Sequence, residues 1–167
     1  MYARGFYPSC IQFKTQIMAF EAKLVLGEFL SSPEEFAARD QKYVYNLVEC
    51  EYEFFQSLDE SGKPSSRTQT GTIKFVMPAQ GDEDMTFYHW MFERAEKKRG
   101  TIEFLLSTDD SKKKYLHLQF DDAYLVNFYQ YFNNNNALLV RTKITLSAKI
   151  LKFGGGKATF INDWKIS

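Results

Sequence analysis

The residues of this chain best suited to acid–base or metal chemistry are its two histidines, His89 and His117. A metal site or a general base needs partners that converge on it, and neither a further histidine, a cysteine pair nor a suitably spaced carboxylate forms a recognisable set here. His89 falls in the middle of a predicted helix, and His117 falls on the polar face of a predicted strand. We therefore expect packing or surface roles for both, with no enzymatic activity, no metal and no cofactor.

A glycine-rich string, GGGK at residues 154–157, resembles part of a phosphate-binding loop. That loop also needs glycine at position 151 and serine or threonine at position 158, where this chain has Leu151 and Ala158. The string therefore predicts a turn or bulge after a long strand.

Paired aspartates at residues 109–110 and 121–122 are a second source of acid–base chemistry to consider. The first pair lies in the segment STDDSKKK and the second precedes a predicted strand, so we interpret both as turn formers. The asparagine run at residues 133–136 also predicts a turn, because asparagine tolerates positive φ.

The charge balance of the chain argues against nucleic-acid binding. Lysine plus arginine and aspartate plus glutamate each number 21, so no excess positive charge is available to neutralise phosphates. A neutral surface instead permits close contact between copies of the chain.

The sequence predicts neither a membrane span nor a secretory leader. No run approaches the roughly 18 apolar residues of a membrane helix, and the first 20 residues lack a continuous apolar segment. Cys10 and Cys50 are too few for a disulfide framework, which favours free thiols in a reducing compartment. We expect a protein without membrane insertion that, if it leaves the cell, does not use the general secretory route.

Alternating apolar and polar residues predict about seven strands. In VECEYEF, apolar side chains from Val48 to Phe54 fall on one face and three glutamates on the other. The other predicted strands are residues 20–26, 72–77, 101–106, 115–120, 123–132 and 140–150. One dry face and one wet face indicate antiparallel pairing, and the aromatic share of 17% favours strands as well.

One segment has a helical pattern instead. Residues 81–100 begin with acidic side chains and end with basic ones before Gly100, which predicts an α-helix over about residues 84–97. Phe87, Trp90 and Met91 recur at helical spacing, so one stripe is expected to pack on the sheet. The predicted fold is mainly β: a small antiparallel β barrel, or a sandwich of two packed sheets, with one flanking α-helix.

Two segments fit this pattern poorly. Residues 1–17 have no clean period and are interpreted as an N-terminal extension, whose status stays open because Met18 is a second candidate start. Residues 27–42 interrupt two strands and predict a short capped helix that begins at Ser32 or Pro33. The remainder, residues 18–167, is predicted to be a single domain with an insertion at about 27–42.

Seven segments occur in an order that a known family shares. They are MAFEAKLVL, LVECEYEFFQSLDESGKPSSRTQTGTIKF, MTFYHWMFE, KRGTIEFLLST, LHLQFDDAYLVNFYQYF, KITLSAKILKFGGG and the final NDW. Together they resemble the type VI secretion tube protein, the haemolysin-coregulated protein family, in the form found in Bacteroidetes. The resemblance covers residues 18–164, and its most specific part is SLDESGKPSSRTQTGTI followed by the aromatic helix and the FDDAYLV strand.

The resemblance implies a structural protein that self-assembles. Its expected form is a small β barrel with one flanking helix, assembled into hexameric rings that stack into a hollow tube. The expected partners are contractile sheath proteins around the tube, a spike protein at its tip and effector proteins in its lumen. The subunit would be cytoplasmic when assembled and then secreted by the type VI system, and it would have no catalytic residues.

Two contact regions are expected, the first from the aromatic-rich surface of a small barrel and the second from the resemblance. One is a possible subunit interface on the helix, which would involve Phe87, Tyr88, Trp90, Met91 and Phe92. The other is a loop that reaches toward the neighbouring ring, made of Ser57, Leu58, Asp59, Glu60, Ser61, Gly62, Lys63, Pro64, Ser65, Ser66, Arg67 and Thr68. The loop carries both charge signs, because Asp59 and Glu60 are expected to face Lys63 and Arg67 across its turn. Its proline lowers the entropy cost of docking.

Other interpretations remain open at this point. The chain is alternatively a monomeric small-ligand-binding β barrel or carrier whose aromatic residues line a cavity, or an enzyme with an unrecognised site. The loop at 57–68 is alternatively a hairpin without a partner. Sizing separates the first alternative from a ring, because a carrier would run near the 19.5 kDa of one chain.

Overall fold

The computed structural model describes residues 21–40, 43–107, 113–135 and 140–164. Within these ranges the chain is mainly β, and a 3-10 turn at Gly154–Gly156 joins its last two strands. The elements are β1 (Ala22–Leu26), α1 (Pro33–Ala37), β2 (Val44–Leu47), β3 (Glu49–Phe55), β4 (Gln69–Pro78), α2 (Thr86–Phe92), β5 (Lys98–Ser107), β6 (Lys114–Phe132), β7 (Val140–Phe153) and β8 (Ala158–Ile161).

All strands belong to one antiparallel sheet with the order β2-β1-β5-β6-β7-β4-β3, and β8 pairs with β7. Its two edges are β2 and β3, yet only Val48 separates these strands in sequence. Because one residue spans about 3.8 Å, the end of one edge strand must meet the start of the other at Val48. The Val48 amide donates to the Val76 carbonyl of β4 at 2.7 Å, so the linking residue already extends the β3–β4 ladder. The sheet is therefore curled into a barrel-like form, as the sequence predicts, and the alternative of two separate packed sheets is not what forms.

The core fills the inside of the curled sheet. Alternate residues of neighbouring strands point inward and are almost completely buried, and α2 adds Phe87 and Trp90. Gly100 in β5 makes the packing possible, because a β-carbon there would lie 2.6 Å from the Val25 carbonyl oxygen and 2.7 Å from the Phe120 ring. The central core side chains are Ile73, Phe75, Ile102, Leu118, Phe120, Ile144, Leu146 and Leu151.

Strand β6 is longer than the sequence predicts. The expected strands at 115–120 and 123–132 are one strand, Lys114–Phe132, and the expected turn at residues 121–122 is wrong. Asp122 has φ 49° and its amide donates to the Asp121 carboxylate at 3.0 Å, where the β5–β6 register shifts. The aspartates therefore form a bulge, because ladder bonds to β7 continue past them.

Helix α2 is shorter than the expected 84–97. It spans Thr86–Phe92, and Glu93 already has an extended backbone. Residues 93–96 turn back toward the helix, where the Trp90 indole donates to the Glu96 carbonyl at 3.2 Å. Lys98 and Arg99, expected near the end of the helix, belong to β5, and Gly100 is a strand residue rather than a helix stop. Pairing with β1 and β6 therefore overrides the helical charge pattern.

Residues 27–40, here called the strap, cross the outer face of the sheet. The predicted short helix is confirmed as α1, which starts at Pro33 with Ser32 as its N-cap; the Ser32 hydroxyl accepts from the Glu35 amide at 3.3 Å. Leu30 and Phe36 are buried in a second small core together with Val25 and the partly buried Val44. Residues 41–42 of the predicted insertion lie outside the described residues.

Two of the predicted turns are present among the described residues. Gly154–Gly156 forms a turn with positive φ throughout, and the Asn133 side chain accepts from the Asn135 amide at 2.9 Å. Strands β2 and β8 have no counterpart in the predictions. Residues 1–17 with Cys10, the pair at 109–110 and Asn136 lie outside the described residues, so the extension and the domain boundary stay predictions.

Candidate assembly surfaces

Under the strap lies a buried pair of ionisable residues. Glu103 and His117 face each other on β5 and β6, with 2.9 Å between the carboxylate oxygen and Nε2, and they are only 6% and 8% exposed. The Phe36 ring of α1 lies 5.8 Å from the imidazole. The expected lack of a converging partner for His117 is therefore wrong. The predicted polar face is real, but the strap covers it and the pair satisfies its hydrogen bonds internally.

The strap is held to this face by polar contacts. The Thr101 hydroxyl accepts from the Leu30 amide and donates to the Glu28 carbonyl, both at 2.9 Å. The Gln119 amide donates to the Leu30 carbonyl at 3.1 Å. Phe29 lies near two cations, 5.4 Å from the Arg99 guanidinium and 5.1 Å from the amino group of a β7 lysine. This part of the outer surface is thereby closed.

The predicted stacking loop, residues 57–68, is here called the finger, and it has a defined conformation. The Asp59 amide donates to the Lys63 carbonyl at 2.8 Å, and the Ser65 amide donates to the Ser57 carbonyl at 2.7 Å. Leu58 and Pro64 form an isolated β-bridge, and Leu58 remains 64% exposed. The finger is therefore an ordered projection that carries one exposed apolar side chain.

The charges of the finger are not arranged as two facing pairs. One Asp59 carboxylate oxygen accepts from the Ser61 hydroxyl at 2.7 Å and from the Ser61 and Lys63 amides at 2.9 Å. These bonds, from Ser61 first and the Lys63 backbone next, lower the pKa of Asp59. Arg67 bonds instead to Asp163 near the C-terminus, at 2.6 Å. Asp59 thus shapes the turn, and Glu60 and Lys63 are the charges left to face outward.

The five residues predicted for the helix interface have different positions. Phe87 and Trp90 are buried in the core of their own subunit. Tyr88 packs on Phe128, with ring centroids 4.7 Å apart, and its hydroxyl donates to a β6 glutamine at 2.7 Å. Met91 and Phe92, which are 36% and 76% exposed, are the two that remain available to a partner.

Met91 and Phe92 form one wall of a groove that the sequence reasoning missed. Tyr124 and Val126 of β6 and Trp164 of the C-terminal segment line the same groove. We call this the α2–β6 groove. A signal for it was present, because Tyr124, Leu125 and Val126 are consecutive apolar residues, and consecutive strand residues point to opposite faces. One apolar side chain of this run had to face outward.

The other titratable groups considered in the described part of the chain show no arrangement typical of a reactive site. Burial, and then the charge of Glu51, raises the pKa of the Cys50 thiol to about 12, so the thiol is not an activated nucleophile. Among the described residues, no group of three or more His, Cys, Asp or Glu is arranged to hold a metal ion. The helices in that part of the chain are also too short or too polar to span a bilayer.

A family model described as Hemolysin coregulated protein Hcp (TssD) matches residues 18–165. The chain belongs to the Hcp family. The resemblance drawn from its ordered segments is therefore confirmed over nearly the whole length. A comparison with curated proteins gave no significant match.

Solved Hcp structures share the fold. Hcp1 from Flavobacterium johnsoniae is 24% identical, with a TM-score of 0.66, over 86% of this chain and 100% of that chain. Hcp1 from an E. coli pathovar is 13% identical, with a TM-score of 0.60, over 87% and 99% of the two chains. Hcp1 from Salmonella typhimurium is also 13% identical, with a TM-score of 0.58, over 81% and 86%. These likenesses confirm the predicted β barrel with a flanking helix.

Proposed function

We propose that this Hcp-family chain is a structural subunit of the inner tube of a type VI secretion system. The observation that carries the proposal is the family match over residues 18–165. The filled core supports it against the alternative of a small-ligand carrier, because the inside of the curled sheet holds packed side chains where a carrier needs a cavity. In this proposal six subunits form a ring, and rings stack into a hollow tube.

Ring closure needs two different surfaces on each subunit that fit each other head to tail. The α2–β6 groove supplies one of them, because Phe92 and Val126 are 76% and 51% exposed and lie on the same groove. Apolar side chains that share an exposed groove are typical of contact surfaces. Of the five predicted helix residues, Met91 and Phe92 take this role, while Phe87, Tyr88 and Trp90 hold the helix in place.

Ring stacking is assigned to the finger. Its hydrogen-bonded turn is formed before contact, so docking costs less conformational entropy than ordering a slack loop. Leu58, Glu60 and Lys63 are its exposed contact groups. A small contribution from each finger becomes large when a closed ring repeats it.

The assembled tube is proposed to be wrapped by contractile sheath proteins, tipped by a spike protein and loaded with effector proteins. Sheath contraction would then expel the subunit from the cytoplasm. In this role the chain acts as a building block, and we expect no enzymatic activity of its own. Family membership supports these partners and this route.

The mass of the purified protein tests the proposal. A hexameric ring gives about 117 kDa by light scattering, six times the 19.5 kDa of one chain, and a ring with a central hole by electron microscopy. Replacing Phe92 and Val126 by serine should release folded monomers, which keep the wild-type far-UV circular dichroism but melt at a lower temperature because they lose the stabilisation by association. Replacing Leu106, a 56% exposed residue of β5, by serine is the matched control. A wild-type protein that stays monomeric at tens of micromolar contradicts the ring and favours the carrier.

A further inference from the structure

Three consecutive residues after β8 each contact a different part of the fold. Asn162 is held on β7, because its amide donates to the Lys149 carbonyl at 2.7 Å. Its side-chain nitrogen lies 2.9 Å from the point where a β-carbon on Gly71 of β4 would be. Asn162 therefore sits against the backbone of β4 in space that only a glycine leaves open.

The next two residues reach the two proposed contact regions. The Asp163 carboxylate accepts from the Arg67 guanidinium of the finger at 2.6 Å. The Trp164 ring lies on Tyr124 in the α2–β6 groove, with centroids 5.4 Å apart and an interplanar angle of 34°. The segment Asn162–Trp164 thus touches β4, the finger and the groove within three residues.

The position of this segment follows from the strand pairing. Both β4 and β8 pair with β7. The β4 ladder starts where Thr72 lies opposite Ser147, and the β8 ladder ends where Ile161 lies opposite Ile150. The C-terminal segment crosses β7 in the gap between these two ladders. Gly71 lies at this gap with φ 92°, and a β-carbon there would also lie 2.4 Å from the Ala148 carbonyl oxygen. A side chain at position 71 would therefore block the crossing.

We propose that Asn162–Trp164 is a clip that fixes the direction of the finger and joins it to the α2–β6 groove. The clip positions the proposed stacking contact relative to the proposed ring contact, so this inference rests on the proposed function. Arg67 is the finger residue that the clip holds, and it is unavailable to a neighbouring ring while it bonds to Asp163. Leu58, Glu60 and Lys63 remain the groups that make contact.

An exposed ion pair alone has a small effect, and the Arg67 and Asp163 side chains are 90% and 69% exposed. The clip differs from an isolated pair because Asn162 and Trp164 place Asp163 from both sides. Exposed ion pairs contribute a free energy that corresponds to a change of up to about fivefold in an equilibrium constant. Here that constant is the ratio of molecules in which Arg67 is bonded to Asp163 to molecules in which it is not. A change of this size at one subunit is multiplied when every finger in a ring must dock together.

The test uses the variants Asp163→Asn and Arg67→Gln, and the exchanged pair Arg67→Asp with Asp163→Arg. Acrylamide quenching of fluorescence reports on Trp164, because Trp90 is only 1% exposed and is shielded from the quencher. Each single variant should raise the quenching of Trp164 and weaken ring-on-ring stacking, at unchanged ring mass and melting temperature. The exchanged pair should restore both. Glu53→Gln is the control, because it removes an exposed carboxylate of β3 for which the described residues provide no ion pair.

The possible results separate the clip from the proposed function. Quenching and stacking that stay at wild-type values in both single variants overturn the clip and leave Arg67–Asp163 as an incidental surface contact. The clip is also overturned if the exchanged pair shows the same Trp164 quenching and the same weakened stacking as the single variants. A wild-type protein that forms no rings overturns the proposed function instead, and the quenching measurement still decides whether the clip exists in the monomer.

Discussion

Replacing Thr101 by valine tests whether the strap is fastened to the sheet by the contacts described above. Thr101 is fully buried, and its hydroxyl makes two hydrogen bonds of 2.9 Å, one from the Leu30 amide and one to the Glu28 carbonyl. Valine has nearly the same shape but neither donates nor accepts. The substitution therefore removes both bonds without opening a cavity.

The size of the effect follows from what is left unpaired. A buried polar group without a partner costs about 1–3 kcal/mol. The Leu30 amide is buried and bears that cost in full, whereas the Glu28 carbonyl is partly buried and bears a fraction of it. We expect Thr101→Val to lower the free energy of unfolding by about 2–4 kcal/mol. The Gln119 bond to the strap remains in the variant, so the strap stays attached and the loss should not exceed the upper end of this range.

Urea unfolding at matched protein concentration measures this loss, because subunit association would otherwise raise the apparent stability. Hydrogen exchange of the Leu30 amide should also accelerate, since Thr101 is its acceptor. Thr145→Val in β7 is the control, because the Thr145 hydroxyl makes no side-chain hydrogen bond to any described residue. A Thr101→Val loss no larger than that of the control, with unchanged exchange at Leu30, would refute the reasoning.

Further predictions concern a tight contact, a thiol and a turn. Gly100→Ala should lower the free energy of unfolding by more than Gly155→Ala, for which about 1 kcal/mol is expected. A β-carbon at position 100 would lie 2.6 Å from a β1 carbonyl oxygen, whereas a β-carbon at position 155 meets nothing within 4 Å. Equal losses of stability in thermal melting would contradict this. In a Cys10→Ser background, Cys50 should react with a thiol reagent at about pH 8 only after unfolding, because burial raises its pKa to about 12; labelling of folded protein would count against it. The lowered pKa of Asp59 means that its carboxylate stabilises the finger turn above the ordinary value of 3.8, and that this stabilisation is lost as pH falls through the folded-state pKa. Amide chemical shifts of the turn should follow that titration and should not do so in Asp59→Asn.

The sequence by itself determined most of the strands, except β2 and β8, and the family to which the chain belongs. Strand faces are a local property, because successive side chains point to opposite sides, and so alternation around Ile102, Leu118 and Leu146 marked the core correctly. The capped helix at Ser32 and the glycine turn at 154–156 were also readable, since both depend on a few adjacent residues. The ordered segments were sufficient for the family because they extend over nearly the whole chain.

Only the tertiary structure decided which surfaces are closed and which stay open. His117 lies on a polar strand face, yet it is buried because the strap crosses that face, and Thr101 meets Leu30 from a position 71 residues away in sequence. The clip joins Arg67 to Asp163 across 96 residues. Such contacts depend on how the curled sheet brings distant segments together, and no local pattern of residues encodes that proximity. The continuation of β6 through Asp121 and Asp122 also depends on tertiary structure, because pairing with β7 outweighs the preference of these two residues for a turn.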